Sequence, residues 1–238
     1  MKHSKIILLF IFLTGFTPTK LHYDFESEYR FEIINAEEHY RSIRSDINRQ
    51  SLAYNTDSLM ISAILSPELV RYSIYRDFFE TKVLEFYYVR DGVQAADFSI
   101  GIFQMKPSFV EQLEAEVVKQ KELKNKYDSL LQYEPEEIQA IRQERLNRLK
   151  NKTWQIRYAN CFFSLMEIKF KKIVFKTNED KLKFYASAYN HGFNCSEKEI
   201  RKWITIKSYP NGYGNEKSHY CYADVAVYFY RNFKNTKL

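Results

Sequence analysis

The sequence predicts a mostly helical protein with one well-buried domain, and three observations carry that expectation. Apolar residues recur at helical spacing through most of the chain, strand-like alternation is scarce, and glycine and proline (six and five in 238 residues) fall largely where helices would stop. With 45% hydrophobic and 28% charged residues the composition is that of a globular chain, long enough to bury one sizeable core. The 19 tyrosines and 19 phenylalanines suit either core filling or stacking on sugars and bases, so their number alone does not choose a function. No internal repeat or low-complexity tract appears.

Residues 1–20 read as a signal peptide. Lys2 and Lys5 precede an almost unbroken apolar run from Ile6 to Phe16, too short to span a bilayer comfortably, and no cysteine follows it to carry a lipid. The chain is therefore expected to be exported, with the leader either cleaved among Thr17 to Lys20 or kept as an anchor. The formal charge of +6 would fall to +4 without those two lysines, a basic excess that suits an anionic surface such as cell wall. Export argues against nucleic acid as a partner. Cys161, Cys195 and Cys221 allow at most one internal disulfide, expected between Cys195 and Cys221, and their spacing fits no zinc site.

Residues 21–50 form a polar lead-in and a surface helix. From 51 to 238 the chain reads as the main domain. Thr56 or Asp57 caps a helix through Leu59, Met60, Ala63 and Ile64 that is expected to end near Ser66-Pro67, with Glu68 just beyond. Further helical segments follow from Tyr72 to Asp91-Gly92, before the compact stretch Ser99-Ile100-Gly101-Ile102-Phe103-Gln104-Met105-Lys106-Pro107. Taken alone, that stretch reads as a helix end, with Pro107 forcing the chain out and Ser108 capping the next helix. Residues from about 111 to 152 are highly charged and broken at Glu134-Pro135-Glu136, which reads as an inserted helical hairpin with solvated faces. A core helix from Trp154, a helix through Phe184 to His191 stopped by Gly192, a Pro/Gly loop at 208–215 and a tyrosine-rich helix from Tyr220 complete the chain.

Some of these residues have a chemical reading beside a structural one. Glu68 against apolar walls has what a general acid needs, although a Glu at a helix end more often faces water. Gln104, among apolar neighbours, needs partners for two donors and an acceptor, which a sugar or a neighbouring loop would supply. His191 and His219 are isolated, and no His-x-x-x-His or carboxylate cluster suggests a metal. No nucleophile elbow or phosphate loop is present, and no cofactor is expected.

Four features in order, Ala63-Ile64 with Glu68, Gly101 to Pro107, Asn160 with Ser164, and Ala188-Tyr189-Asn190-His191-Gly192, resemble the catalytic domain of soluble lytic transglycosylases. That family has an Ala-Ile pair before its catalytic Glu, a Gly-Leu-Met-Gln-like segment ending in Pro, an Asn-x-x-x-Gly helix and an Ala-Tyr-Asn-x-Gly turn. The resemblance runs from about Leu59 to Tyr230 and implies a lysozyme-like fold with the charged hairpin inserted. It implies cleavage of the glycan strands of bacterial peptidoglycan, between N-acetylmuramic acid and N-acetylglucosamine, with release of a 1,6-anhydro sugar. Glu68 would be the single acid and base. Ser99, Gln104, Met105, Tyr189 and Asn190 would bind the saccharide, with Phe103 beside Met105 in the cleft wall, and Tyr222 would orient Glu68.

The sequence departs from that family in two places. Leu69 stands where a Ser usually follows the Glu, and 33 positions separate Glu68 from Gly101, about twice the usual gap. Glu80, followed by Thr81, and Glu85, nearer Gly101, are the rival acids. Two other functions stay open: a hydrolase of the same fold, with Asp91 or Asp97 as the second carboxylate an inverting mechanism requires, or a wall-binding envelope protein without catalysis.

Overall fold

The computed structural model describes residues 24–72 and 74–235. The expected signal peptide lies outside these residues. Among the described residues no helix is long and apolar enough to cross a membrane.

The chain is mostly helical, as the spacing predicts. A short turn α1 (Phe25–Glu28) leads into α2 (Arg30–Ala53), α3 (Ser58–Arg71) and α4 (Ile74–Val83). A π-helical turn at Leu84–Tyr88 and α5 (Val89–Asp91) follow, and Gly92, at φ +83°, ends that run. Next come α6 (Pro107–Lys119), the short α7 (Lys121–Lys126) and α8 (Asp128–Leu131), then α9 (Ile138–Lys150) and α10 (Lys152–Lys169). The chain closes with α11 (Asn178–His191), α12 (Glu197–Trp203), a two-stranded antiparallel ribbon of β1 (Lys207–Tyr209) and β2 (Tyr220–Cys221), and α13 (Tyr222–Asn235).

Helix α3 is the centre. Every residue from Met60 to Val70 is buried, because α2, α10, α11 and α13 pack around it. A helix apolar on all sides needs such a sheath. The Asp57 carboxylate caps it by accepting from the Met60 N–H at 2.9 Å. The helix does not stop at Pro67, as the sequence suggests, but runs through it to Arg71. The ring removes one intrahelical bond, and the surrounding helices supply enough packing to offset that loss. Glu68 is therefore fixed inside a helical turn and not on a loose end.

Helix α2 also departs from expectation. It is not a surface element: Ile33, Ala36, Tyr40, Ile43 and Ile47 form a buried stripe against the bundle. Their i, i+3, i+4, i+7 pattern was diluted by intervening charges.

The charged segment 111–152 forms several helices, and most of its charged side chains are exposed or half-buried, but Glu114, Arg145 and Arg148 point inward. Arg145 is buried and donates to Glu114 at 2.9 Å, Glu111 at 3.1 Å and the Tyr88 hydroxyl at 3.0 Å, while Tyr158 donates to Glu114 at 3.0 Å. Burial opposes the Arg145 charge, but the Glu114 carboxylate raises its pKa above the usual arginine value. A buried guanidinium needs such a full set of acceptors. Arg148 lies over the Trp154 ring at 4.2 Å and donates to the Leu130 carbonyl at 2.9 Å. The expected Cys195–Cys221 bridge is also absent. All three cysteines are free thiols, with Cys195 beyond the end of α11 and Cys221 in β2.

The tyrosines carry a testable consequence. Burial raises the pKa of Tyr88, Tyr127, Tyr158, Tyr185, Tyr189, Tyr209 and Tyr222 above the ordinary 10.0. Above pH 10 an unfolded chain releases these protons while the folded chain keeps them. Folding stability is then full below pH 10 and falls as pH rises past it. Denaturant titrations between pH 8 and 11 should show that decline, with phenolate absorbance appearing together with unfolding. Phenolate absorbance from these tyrosines in a still-folded protein would contradict it.

Candidate active site

One cleft of about 400 Å³ is lined by residues from five separated parts of the chain. Glu68 and Arg71 come from the last turns of α3. Asp97, Ser99, Gln104, Met105 and Lys106 come from the segment before α6. Tyr189, Asn190, His191 and Gly192 come from the end of α11, Trp203 from the end of α12, and Ser208, Gly212 and Tyr213 from the ribbon and its loop.

Glu68 is only 4% exposed. A buried carboxylate needs partners, and Arg71, one helical turn on, donates to its Oε2 at 3.1 Å. The Glu68 charge in turn raises the Arg71 pKa. Three tyrosines close around the carboxyl. The Tyr222 hydroxyl donates to the Ile64 carbonyl at 3.0 Å and lies within hydrogen-bonding reach of Glu68. Tyr209 donates to the Pro67 carbonyl at 3.1 Å, and Tyr189 to the Phe103 carbonyl at 2.9 Å. Burial first, and then the Glu68 charge, pushes all three phenols well above their ordinary pKa. They stay protonated as donors beside an acid.

The stretch from Ile100 to Met105 is a tight loop, not a helix end. Ile100 and Met105 exchange backbone bonds, N to O at 3.0 and 3.1 Å, and the Gln104 N–H returns to the Gly101 carbonyl at 2.9 Å. Both Gly101 (φ +73°) and Gln104 (φ +49°) are left-handed, which glycine tolerates and glutamine ordinarily avoids. The strain aims the Gln104 side chain at the cleft. Its amide nitrogen also donates to the Gly101 carbonyl at 2.9 Å, so one partner that the sequence left open is in the loop itself. From beneath, the buried Gln155 of α10 donates to the Ile100 and Leu149 carbonyls at 2.8 and 2.7 Å and accepts from the Phe103 N–H at 3.0 Å.

Pro107 begins α6 at its first position, where its missing N–H costs nothing. Ser108 is not the cap. Asp97 takes that role from outside the helix, accepting from the Ser108 N–H at 2.9 Å and its hydroxyl at 2.7 Å.

Glu68, Ser99, Gln104, Met105, Tyr189 and Asn190 thus share one cleft, and Tyr222 stands behind Glu68. Phe103 does not wall it; that ring is fully buried in the core. The Asn190 side-chain oxygen Oδ1 is used internally, accepting from the Trp203 indole at 2.9 Å and the Ser208 hydroxyl at 3.3 Å. Asn160 joins the core: its side chain accepts from Ser51 at 3.2 Å and also from Thr56, tying α10 to the link before α3. Of the rival acids, Glu85 is paired with Lys82 and Lys150 at 2.8 and 3.0 Å, away from the cleft. Glu80 is buried on α4 within electrostatic reach of Arg71, but it does not line the cleft. Asp91 pairs with Arg90 and is exposed, whereas Asp97 does line the cleft.

Sequence reasoning missed Arg71, Tyr209, Gln155 and Trp203. Each acts through a partner distant in sequence or hidden in a helical turn, and only the Glu68-x-x-Arg71 spacing offered a local signal. Among the described residues no group of histidine, cysteine and carboxylate side chains is placed to hold a metal. Compared with family models, curated proteins and solved structures, the chain gives no match.

Proposed function

We propose that the protein is an exported lytic transglycosylase of lysozyme-like fold that cleaves the glycan strands of peptidoglycan. The observation that carries this reading is the convergence of Glu68, Ser99, Gln104, Met105, Tyr189 and Asn190, chosen from separate motifs, on one cleft whose acid is enclosed by tyrosines. In this reading Glu68 works alone. Arg71 turns from it toward the substrate as the strand enters, the freed carboxylate takes up a proton from solvent, and the Glu68 carboxyl gives that proton to the glycosidic oxygen while the bond from that oxygen to the anomeric carbon breaks. The carboxylate then takes the proton of the muramic acid 6-hydroxyl as that oxygen bonds to the anomeric carbon. An anhydro ring forms, no water is consumed, and Glu68 ends protonated as it began. Gln104 and Ser99 hold the saccharide beside the cleaved bond, Met105 supplies an apolar wall, and Tyr222 fixes the carboxyl.

Asp97 favours a second reading, since it is another carboxylate in the same cleft. A hydrolase would use it as base for a water on the far face of the sugar. Both Asp97 oxygens already serve the Ser108 cap, which argues for the first reading. Mass spectrometry of purified cell wall digested with the protein tests the choice. Anhydro-muropeptides are expected, reducing ends would select the hydrolase, and intact strands would select a wall-binding role without catalysis.

A further inference from the structure

Between α10 and α11 the chain reads Lys169-Phe170-Lys171-Lys172-Ile173-Val174-Phe175-Lys176, lysines and apolar residues with no acid from Ile168 to Asn178. The loop is held from within. Phe170 and Phe175 both meet the buried Phe184 of α11, at ring-centroid distances of 4.9 and 5.5 Å, and the Ile173 N–H donates to the Phe170 carbonyl at 2.9 Å. With those rings turned inward Val174 is left outside, 92% exposed, and Lys171, Lys172 and Lys176 are exposed beside it. A valine in water adds nothing to the core, because the apolar stabilisation comes from area removed from water.

The charges of the loop are equally unmatched. The acids that flank it are engaged elsewhere: Glu167 with Lys181, Glu179 with Arg231 at 2.7 Å, and Asp180 with the Thr177 N–H at 3.1 Å. Among the described residues no acid pairs with Lys171, Lys172 or Lys176. Lys169 turns away and donates to the Phe193 carbonyl at 2.6 Å, which leaves three cations around one apolar tip. Such lysines attract an anionic surface, and a bare valine gains only where an apolar layer lies beneath the charge. An anionic lipid bilayer offers both. A soluble polyanion would take up the lysines and leave Val174 in water.

We infer that the loop 170–176 docks the domain on an anionic lipid bilayer, with Lys171, Lys172 and Lys176 at the phosphate headgroups and Val174 entering the interface below them. The loop joins α11 at its first turn, whereas Tyr189 to Gly192 of the cleft lie at its last, about 20 Å along the helix. Docking and cleavage then use different parts of the domain, and the inference does not depend on the glycan reading.

Amide hydrogen exchange of the full chain tests it, with vesicles of phosphatidylcholine alone or with phosphatidylglycerol added. Reading the exchange peptide by peptide separates the loop from any hold exerted by residues 1–20. The loop should exchange at least about fivefold more slowly on the anionic vesicles than on neutral ones, and high salt should remove that protection. Each lysine at such a surface is worth about fivefold in affinity, so Lys171→Ser combined with Lys172→Ser should raise the lipid needed for half-protection by about twentyfold or more. Val174→Ser should raise it by about fivefold. All three positions are exposed, so the fold is not at stake. A Val174→Ser chain that docks as tightly as the unaltered one would assign the lysines to a soluble polyanion and overturn the bilayer. Equal protection on both kinds of vesicle, or on neither, overturns it as well.

Discussion

Glu68→Gln is expected to reduce release of anhydro-muropeptides by at least about a thousandfold, within the range that a positioned acid–base group contributes. The amide keeps the shape of the side chain and its capacity to accept from Arg71, but it has no proton to give. The fold should survive. Arg71 loses a charged partner, yet its side chain is 27% exposed and can rehydrate, so the cost is far smaller than for a sealed ion pair. Circular dichroism unchanged beside a lost activity would assign the effect to chemistry. Glu80→Gln serves as the comparison, because Glu80 is buried near Arg71 without lining the cleft. Activity that persists in Glu68→Gln and vanishes in Glu80→Gln would move the acid to α4.

What the sequence made legible follows from how far apart the interacting residues lie. Helix content and the Gly192 stop were local matters, visible in spacing and in single residues. So was the set of cleft residues carried by motifs, since Glu68, Gln104 and Tyr189 each sit in a recognisable run. Pro67 misled, because the rule against proline in helices describes an isolated helix and α3 is sheathed on all sides. Residues 111–152 were legible only in part, since most of their charges do face solvent. Charge density suggested a solvated face, but Arg145 finds Glu114 across 31 positions and Tyr88 across 57, and no window reveals such pairs. Gln104 had the right position and an incomplete set of partners, because its bond to the Gly101 carbonyl exists only once the loop closes on itself.

That loop is also where a single methyl group should do most harm. Adding a Cβ at Gly101 would place it 2.0 Å from the Gln155 amide nitrogen and 2.8 Å from the Leu149 carbonyl, at a φ of +73° that already disfavours side chains. Gln155 cannot yield cheaply. It is buried and satisfies the Ile100 and Leu149 carbonyls and the Phe103 N–H together, so moving it strands groups worth about 1–3 kcal/mol each. With backbone strain added, Gly101→Ala should cost about 3–5 kcal/mol and lower Tm by about 10 °C in a chain of this size. Gln155→Leu, which strands the same three groups without the backbone strain, should cause a comparable loss. Gly212→Ala separates strain from crowding: its φ is +94°, but an added Cβ meets nothing within 4 Å, so only the backbone term of about 1 kcal/mol should appear. A Tm for Gly101→Ala no lower than that of Gly212→Ala would mean that Gln155 does not hold the loop. If it does, the loosened Gly101 variant should also lose activity below its melting range, because the same three bonds that keep the loop closed keep Gln104 turned toward Glu68's cleft.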